Sequence, residues 1–299
     1  MKKLATAVAA VAIIGTPAFA ADMAVKARPQ PTLAPVYSSW NGFYLGVNAG
    51  YSWSHNGVDT TASPGPFDVL NDFGGESNVA AALATTSLGP KQRGFTGGGQ
   101  IGYNWQFTPQ WVGGLEADIQ GLSHSNDTAS ITSASGVPGF PLETFVSTTT
   151  VTNRVDWLGT VRARLGFLVT PNLLAYGTGG LAYGKVEGST NIAQSDSGIT
   201  GITGINGVNG VLTGAASAGS FSETRAGWTI GGGLEWMFLP HWTLKGEYLF
   251  YDLGSVSWGS PNLVFNVPSF ASPTFSAVNI GSSTHFNGNI VRAGINYKF

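Results

Sequence analysis

The sequence predicts an all-β fold, an eight-stranded antiparallel up-and-down transmembrane β-barrel with short turns on one rim and long loops on the other. Three observations carry that reading. Segments that alternate apolar and polar residues with period 2 recur along the chain, as strands with two different faces must. Three of the connections are tight and built on proline, at Thr108-Pro109-Gln110-Trp111, Thr170-Pro171-Asn172-Leu173 and Leu239-Pro240-His241-Trp242. Proline fixes φ and withholds a donor, so it suits a turn and would damage a central strand. Finally, the 299 residues include 43 Gly, 17 Phe, 9 Tyr and 9 Trp but only 10% charged residues, against about 25% in an ordinary soluble domain.

The N-terminal stretch predicts export. Lys2 and Lys3 precede an apolar run over 4–14, a helix-breaking Gly15 and Pro17, and the small-x-small site Ala18-Phe19-Ala20. That is the pattern of a signal peptide over 1–20, cut before Ala21. The run is too short to span a bilayer as a helix, and no other stretch reaches the roughly 18 apolar residues a helix would need. Residues 21–39, with Pro29, Pro31 and Pro35, are expected to form an extended periplasmic lead-in to a barrel over 40–299. Without Lys2 and Lys3 the chain keeps 12 basic and 16 acidic residues, net charge −4, which argues against nucleic acid as a partner. Zero cysteines exclude a disulfide framework and thiolate chemistry.

Each strand follows from its alternation. In 40–53, Phe43, Leu45, Val47, Ala49, Tyr51 and Trp53 share one face, and Tyr44, Gly46, Asn48, Gly50 and Ser52 the other. In 94–107, Phe95, Ile101, Tyr103, Trp105 and Phe107 oppose Thr96, Gln100, Asn104 and Gln106; in 111–123, Leu115, Ala117 and Ile119 oppose Glu116, Asp118 and Gln120. The fourth strand, 154–169, puts Val155, Trp157, Val161, Ala163, Leu165, Phe167 and Val169 outward against Asp156, Thr160, Arg162 and Arg164. The fifth, 173–187, is glycine-rich and its facing ambiguous, with Tyr176, Leu181 and Tyr183 keeping it strand-like. Strands over 225–238 and 242–256 turn Trp228, Ile230, Leu234, Trp236, Phe238, Leu244, Tyr248 and Phe250 outward, away from Thr229, Glu235, Lys245 and Glu247. The last, 286–299, closes with Val291, Ala293, Ile295, Tyr297 and Phe299 outward.

A soluble sandwich also alternates, so the tryptophans near strand ends decide between the two. Packing Trp53, Trp105, Trp111, Trp157, Trp228, Trp236 and Trp242 all inward is implausible, whereas an interfacial girdle gives each ring an apolar band and a polar edge. The gaps 54–93, 108–110, 124–153, 170–172, 188–224, 239–241 and 257–285 alternate long and short, placing all tight turns on one rim. The long gaps, rich in Ser, Thr, Gly and Asn, are expected to be surface loops. Residues 198–210, with glycine at every third position and no proline, predict a flexible loop rather than collagen.

Several motifs occurring in order then carry a family resemblance: Trp40-Asn41-Gly42-Phe43-Tyr44-Leu45-Gly46, Gly99-Gln100-Ile101-Gly102-Tyr103-Asn104-Trp105-Gln106, Asp156-Trp157-Leu158-Gly159-Thr160-Val161-Arg162, Gly179-Gly180-Leu181-Ala182-Tyr183-Gly184 and the closing Asn296-Tyr297-Lys298-Phe299. The chain resembles the small outer-membrane β-barrels of alphaproteobacteria, the outer-membrane immunogenic or porin-family proteins. The resemblance implies an outer-membrane location and a structural, porin-like or haem-binding role. It fits the partners expected of such a barrel: outer-membrane lipid and lipopolysaccharide around a monomer, with Tyr297 and Phe299 as the C-terminal signal read by the barrel-assembly machinery.

The candidate site is a layer of inward charges, Glu116, Asp118, Arg162, Arg164, Glu235, Lys245, Glu247 and Arg292, all three to seven residues from the tight-turn rim or the chain end. An eight-stranded interior is just wide enough for side chains, so opposite charges at one height are expected to pair and fill it. Balanced sign favours that reading over the selectivity ring of a diffusion porin. Arg154, Asp156 and Arg225 are expected nearer the outer rim. His124-Ser125 with Asp127 does not amount to a catalytic triad, because sequence adjacency is not triad geometry. No cofactor is implied by any ligand spacing; His55, His124 and His285 on the outer side are the one set that a haem or metal receptor could use.

Overall fold

A computed structural model describes residues 39–64, 74–125, 127–138, 140–197, 214–265 and 275–299. The signal-peptide segment, nearly all of the lead-in and the 198–210 glycine repeat lie outside them. In chain order the elements are β1 (Gly42–Ser54), β2 (Val58–Pro64), α1 (Gly74–Ala84), β3 (Thr86–Leu88), β4 (Gln92–Gln106), β5 (Trp111–Ser125), β6 (Thr128–Val137), β7 (Phe140–Thr170), β8 (Leu173–Ser197), β9 (Ala215–Leu239), β10 (Trp242–Ser260), β11 (Leu263–Phe265) and β12 (Phe275–Lys298).

Eight of these strands form the ring β1-β4-β5-β7-β8-β9-β10-β12, every pairing antiparallel, and it closes where β1 meets β12 from Tyr44↔Lys298 to Trp53↔Asn289. Closure leaves no edge within the ring, which hydrocarbon requires because it offers backbone groups no alternative partner. At the tight turn after β4, Thr108 Oγ1 accepts a hydrogen bond from the Trp111 amide at 2.9 Å. Each turn is also tied to the neighbouring strand, as where the Met237 amide donates to the Asn172 carbonyl at 2.8 Å.

The ring turns its apolar side chains out. Phe95 is 76% exposed and Leu115 64%. Edge-to-face or tilted aromatic pairs lie at two heights on this wall, Tyr51–Phe95, Trp157–Tyr183 and Trp228–Phe250 near the outer end, and Phe43–Tyr103, Trp111–Phe167 and Trp242–Tyr297 near the tight-turn end. They are the two interfacial girdles of a membrane barrel.

Beyond the outer girdle the strands continue. From Trp157 back to Phe140, β7 runs on for about 56 Å at roughly 3.3 Å per residue. On this extension β6 pairs with β7, β2 with β12, β3 with β2 and β11 with β12. Residues 128–137, 140–153, 188–197 and 215–224 are therefore strand where surface loop was expected. Their Ser, Thr and Ala residues carry a weak strand signal alone, but cross-strand hydroxyl pairs such as Thr128–Thr152, Ser130–Thr150 and Thr132–Thr148 hold the ladder. Helix α1 is a further element unforeseen in the 54–93 gap. It buries Ser77, Ala80, Ala81 and Ala84, spaced i, i+3, i+4, i+7, and the Gln194 amide donates to the Ala80 carbonyl at 2.8 Å.

Facing differs from the sequence expectation at one place in the ring, for two adjacent residues. Val155, expected outward, is fully buried, and Asp156, expected on the inward face, stands on the outer wall with Arg154 and Lys185. The cause is a bulge in β7: Val155 pairs with Val186 and Trp157 with Lys185, leaving Asp156 as the extra residue. Below the bulge the even-numbered residues of β7 point inward; above it the odd-numbered ones do. A second bulge in β10 lies between Asp252 and Gly254, where Gly254 takes φ +78°, a conformation open to glycine. It brings Val256 and Trp258 inside.

Candidate functional site: a charged layer across the lumen

Alternation places one polar residue inside at every second position, and register brings these residues to a common height. Glu116 lies directly across from Arg162, Glu247 from Arg292 and Lys245 from Glu235. All eight expected charges are buried, and the side chains of Asp118, Arg162, Lys245 and Arg292 have no exposed area.

The ion pairs cross the lumen as well as running around the wall. Arg162 on β7 reaches Glu116 at 2.5 Å and Asp118 at 2.8 Å on β5, and Glu247 on β10 at 2.9 Å. Lys245 on β10 binds both oxygens of Glu116, at 2.8 and 2.9 Å. Arg292 on β12 holds Glu247 at 2.7 Å and Asp118 at 2.8 Å. Arg164 pairs with Glu235 on β9 at 2.5 Å, and its guanidinium lies 4.2 Å from the centroid of the Tyr176 ring. Such density of opposite charge is what makes the burial tolerable, since an unpaired ion at this depth would be prohibitive.

Neutral residues complete the network. Tyr44 donates to Glu116 at 2.6 Å, Tyr176 to Glu247 at 3.1 Å, Thr160 to Asp118 at 2.9 Å, Thr243 and Asn296 to Glu235 at 2.6 and 2.9 Å, and Gln100 to Asn296 at 2.5 Å. Every one of the eight ring strands thus contributes a side chain. Counting charges alone missed these partners, although Tyr44, Thr160 and Gln100 already stood on the polar face. Lys298 was missed too; it shares the parity of Arg292 and Asn296, is buried, and its ammonium meets the Ser39 carbonyl.

Apolar clusters flank the layer. On the tight-turn side Trp40, Val112, Leu168, Leu174, Tyr176 and Met237 pack together. There Trp40, 1% exposed, donates its indole N–H to the Pro171 carbonyl at 3.1 Å. On the outer side Leu158, Ala182, Val186, Leu249, Tyr251, Leu253, Phe286 and Ile290 form a second core, and above it Phe145, Ile192, Phe265 and Ile280 pack with the α1 alanines.

Outside the lumen, just above the Trp157–Tyr183 pair, a solvated tetrad stands on the wall. Arg154 meets Asp156 at 3.0 Å and Glu187 at 2.5 Å, and Lys185 meets Glu187 at 2.5 Å and Asp156 at 3.2 Å. The hydrogen bond from Lys185, followed by that from Arg154, holds the Glu187 carboxyl down to about 2. Arg225, also near the outer end, meets Glu223 at 3.8 Å. His285 is engaged with Asp252 at 3.0 Å and Ser255 at 2.9 Å; His55 is exposed, and the side chain of His124 lies outside the described residues. Among the described residues no group of three or more His, Asp or Glu gathers as a metal site.

The family model described as outer membrane protein beta-barrel domain matches residues 6–299. The 31 kDa outer-membrane immunogenic protein of Brucella melitensis is 38% identical over 293 residues, covering 96% of each chain. The 22 kDa outer membrane protein of Rhizobium leguminosarum is 27% identical over 263 residues, 87% of this chain and 79% of that one. Among solved structures, the outer membrane protein OprG of Pseudomonas aeruginosa aligns with 88% of this chain and 98% of its own at 10% identity, with a TM-score of 0.36. This chain is a member of the outer membrane protein β-barrel family and a protein of the bacterial outer membrane.

Proposed function

We propose that this barrel is a sealed envelope protein that displays a rigid extracellular platform, and that it neither conducts solutes at a useful rate nor catalyses a reaction. The observation that carries the reading is the lumen-crossing network of Arg162, Lys245 and Arg292 with Glu116, Asp118 and Glu247, which leaves these side chains almost no exposed area and is closed on both sides by apolar packing. A selective pore needs a continuous wetted path and usually one dominant sign; here four cations answer four carboxylates. The barrel works as a monomer among outer-membrane lipids. Tyr297 and Phe299, outward at the tight-turn rim beside Trp242, form the signal that the assembly machinery reads. No observation favours the porin or haem-receptor reading.

Planar-bilayer recording of the purified protein tests the seal. The expected trace has no steady open level. A sustained conductance that changes when Arg162 or Arg292 is replaced by Gln overturns the proposal.

A further inference from the structure

The lipid-facing wall is not uniformly covered. Between β1, β4, β5 and β8 lies a shallow apolar groove of about 410 Å³, walled by Leu45, Ile101, Ile119 and Tyr183 and floored by Gly99 and Ala117. Its floor extends toward the outer girdle through Gly97, which lies across from both Ala49 and Gly121. On the same outward column of β4, beyond Phe95, comes Arg93, flanked by Trp53 on β1 and Ser125 on β5. Arg93 and the neighbouring Lys91 are exposed, and neither side chain has an ion pair among the described residues. The other exposed cations at this level differ: Arg154, Lys185 and Arg225 each already hold a carboxylate.

We propose that this sector is a specific binding site for a phosphorylated lipid of the outer leaflet, with the phosphate on Arg93 and one acyl chain in the groove below. The chemistry follows from depth. The groove opens within the hydrocarbon band, so an apolar chain covers it. Arg93 stands at headgroup height beside Trp53, where its planar guanidinium meets a phosphate by two charge-assisted hydrogen bonds. A second copy of this chain is a poorer occupant, because Asp156, Glu187, Glu223 and Asp252, carboxylates near that height, already have partners. The site lies on the outer wall and does not depend on whether the lumen conducts.

The test is native mass spectrometry of the full barrel released from nanodiscs containing bisphosphorylated lipid A, with dephosphorylated lipid A as the second probe. Wild type retains the phosphorylated probe preferentially. Arg93→Gln is expected to weaken that retention about tenfold, the loss of one charge-assisted contact, while leaving the dephosphorylated probe unaffected. Gly99→Leu and Ala117→Leu fill the groove and lower retention of both probes. A Cβ at Gly99 meets nothing closer than the Gly46 carbonyl at 3.8 Å, and Ala117 already carries one, so both variants are expected to fold, which the heat-resistant band on unheated gels checks. Lys185→Gln, whose ammonium is already held, is expected to behave as wild type. Equal retention across all variants, equal loss of both probes in Arg93→Gln, or a dimer that Gly99→Leu dissociates, would each overturn the proposal.

Discussion

The same strands solve opposite problems on the two sides of Asp156. Below it β7 shows Val161, Leu165 and Phe167 to the outside and keeps Thr160, Arg162 and Arg164 within; above it Val155, Val151 and Phe145 lie within and Thr148, Thr150 and Thr152 face out. Hydrocarbon surrounds the first stretch and water the second, so each turns toward its surroundings the chemistry they tolerate. The lower half is a polar core in an apolar coat, the upper half an ordinary water-soluble sheet protein. In β7 and β10 a bulge performs the exchange. In β8 no bulge is needed, because the outward residues change from Leu181 and Tyr183 to Lys185 and Glu187.

Removing the extra residue of β7 should break this division most severely. Deletion of Asp156 puts everything N-terminal to it in β7 on the wrong face, taking Phe145 and Val151 out of their cores. The expected outcome is loss of the heat-resistant folded band on unheated gels. A barrel that still folds to wild-type resistance would mean that the bulge does not set the facing.

The two interiors should then respond differently to truncation. Arg164→Ala leaves Glu235 buried without its cation and is expected to cost about 3 to 5 kcal/mol, read as a lowered midpoint of thermal unfolding in detergent, whereas Lys91→Ala, at an exposed position, leaves it unchanged. Phe145→Ala, whose ring packs on Phe265 with centroids 5.6 Å apart, should cost about 3 kcal/mol or more locally. Its effect is expected in the upper half: faster amide exchange in β6 and α1, with protection of the ring strands below Trp157 intact. Equal loss of protection in both halves would show a single cooperative unit.

The smallest expected effect is on the solvated tetrad. The Glu187 carboxyl is held near 2, below the ordinary carboxylate value. Its pairing therefore contributes fully above the unfolded value near 4.5 and is lost as pH falls through about 2. A carboxyl-carbon NMR titration should place the midpoint there, and Lys185→Gln should move it upward. A midpoint at the ordinary value in the wild type would mean the tetrad does not form in solution.

The lower half was legible in the sequence because its alternation is written in residues of extreme character. Trp105 against Gln106 or Val161 against Arg162 leaves no doubt about faces, and the charge layer follows from counting back from Pro109, Pro171 and Pro240. The upper half was not. Thr148-Thr149-Thr150 has the same chemistry on both faces, so period 2 is invisible there and only pairing with β6 and β8 reveals a strand. Val155 was misplaced for a related reason, since an extra residue in a ladder shows only once the register of the partner is known. Trp40 looked like the start of a strand and proves to be a stopper at the tight-turn mouth, a role set by the Pro171 carbonyl 131 residues away.

The bulges at Asp156 and near Leu253 also act as a draught mark. A shift of two residues along the strand, roughly 7 Å, would drag Arg154 and Glu187 into hydrocarbon in one direction or lift Trp157 and Tyr183 clear of it in the other. The barrel therefore has one permitted depth in its bilayer. Whatever approaches the cell meets the small hydroxyls of 128–152 at a fixed height, much as a ship of known load shows the same height of hull above the sea.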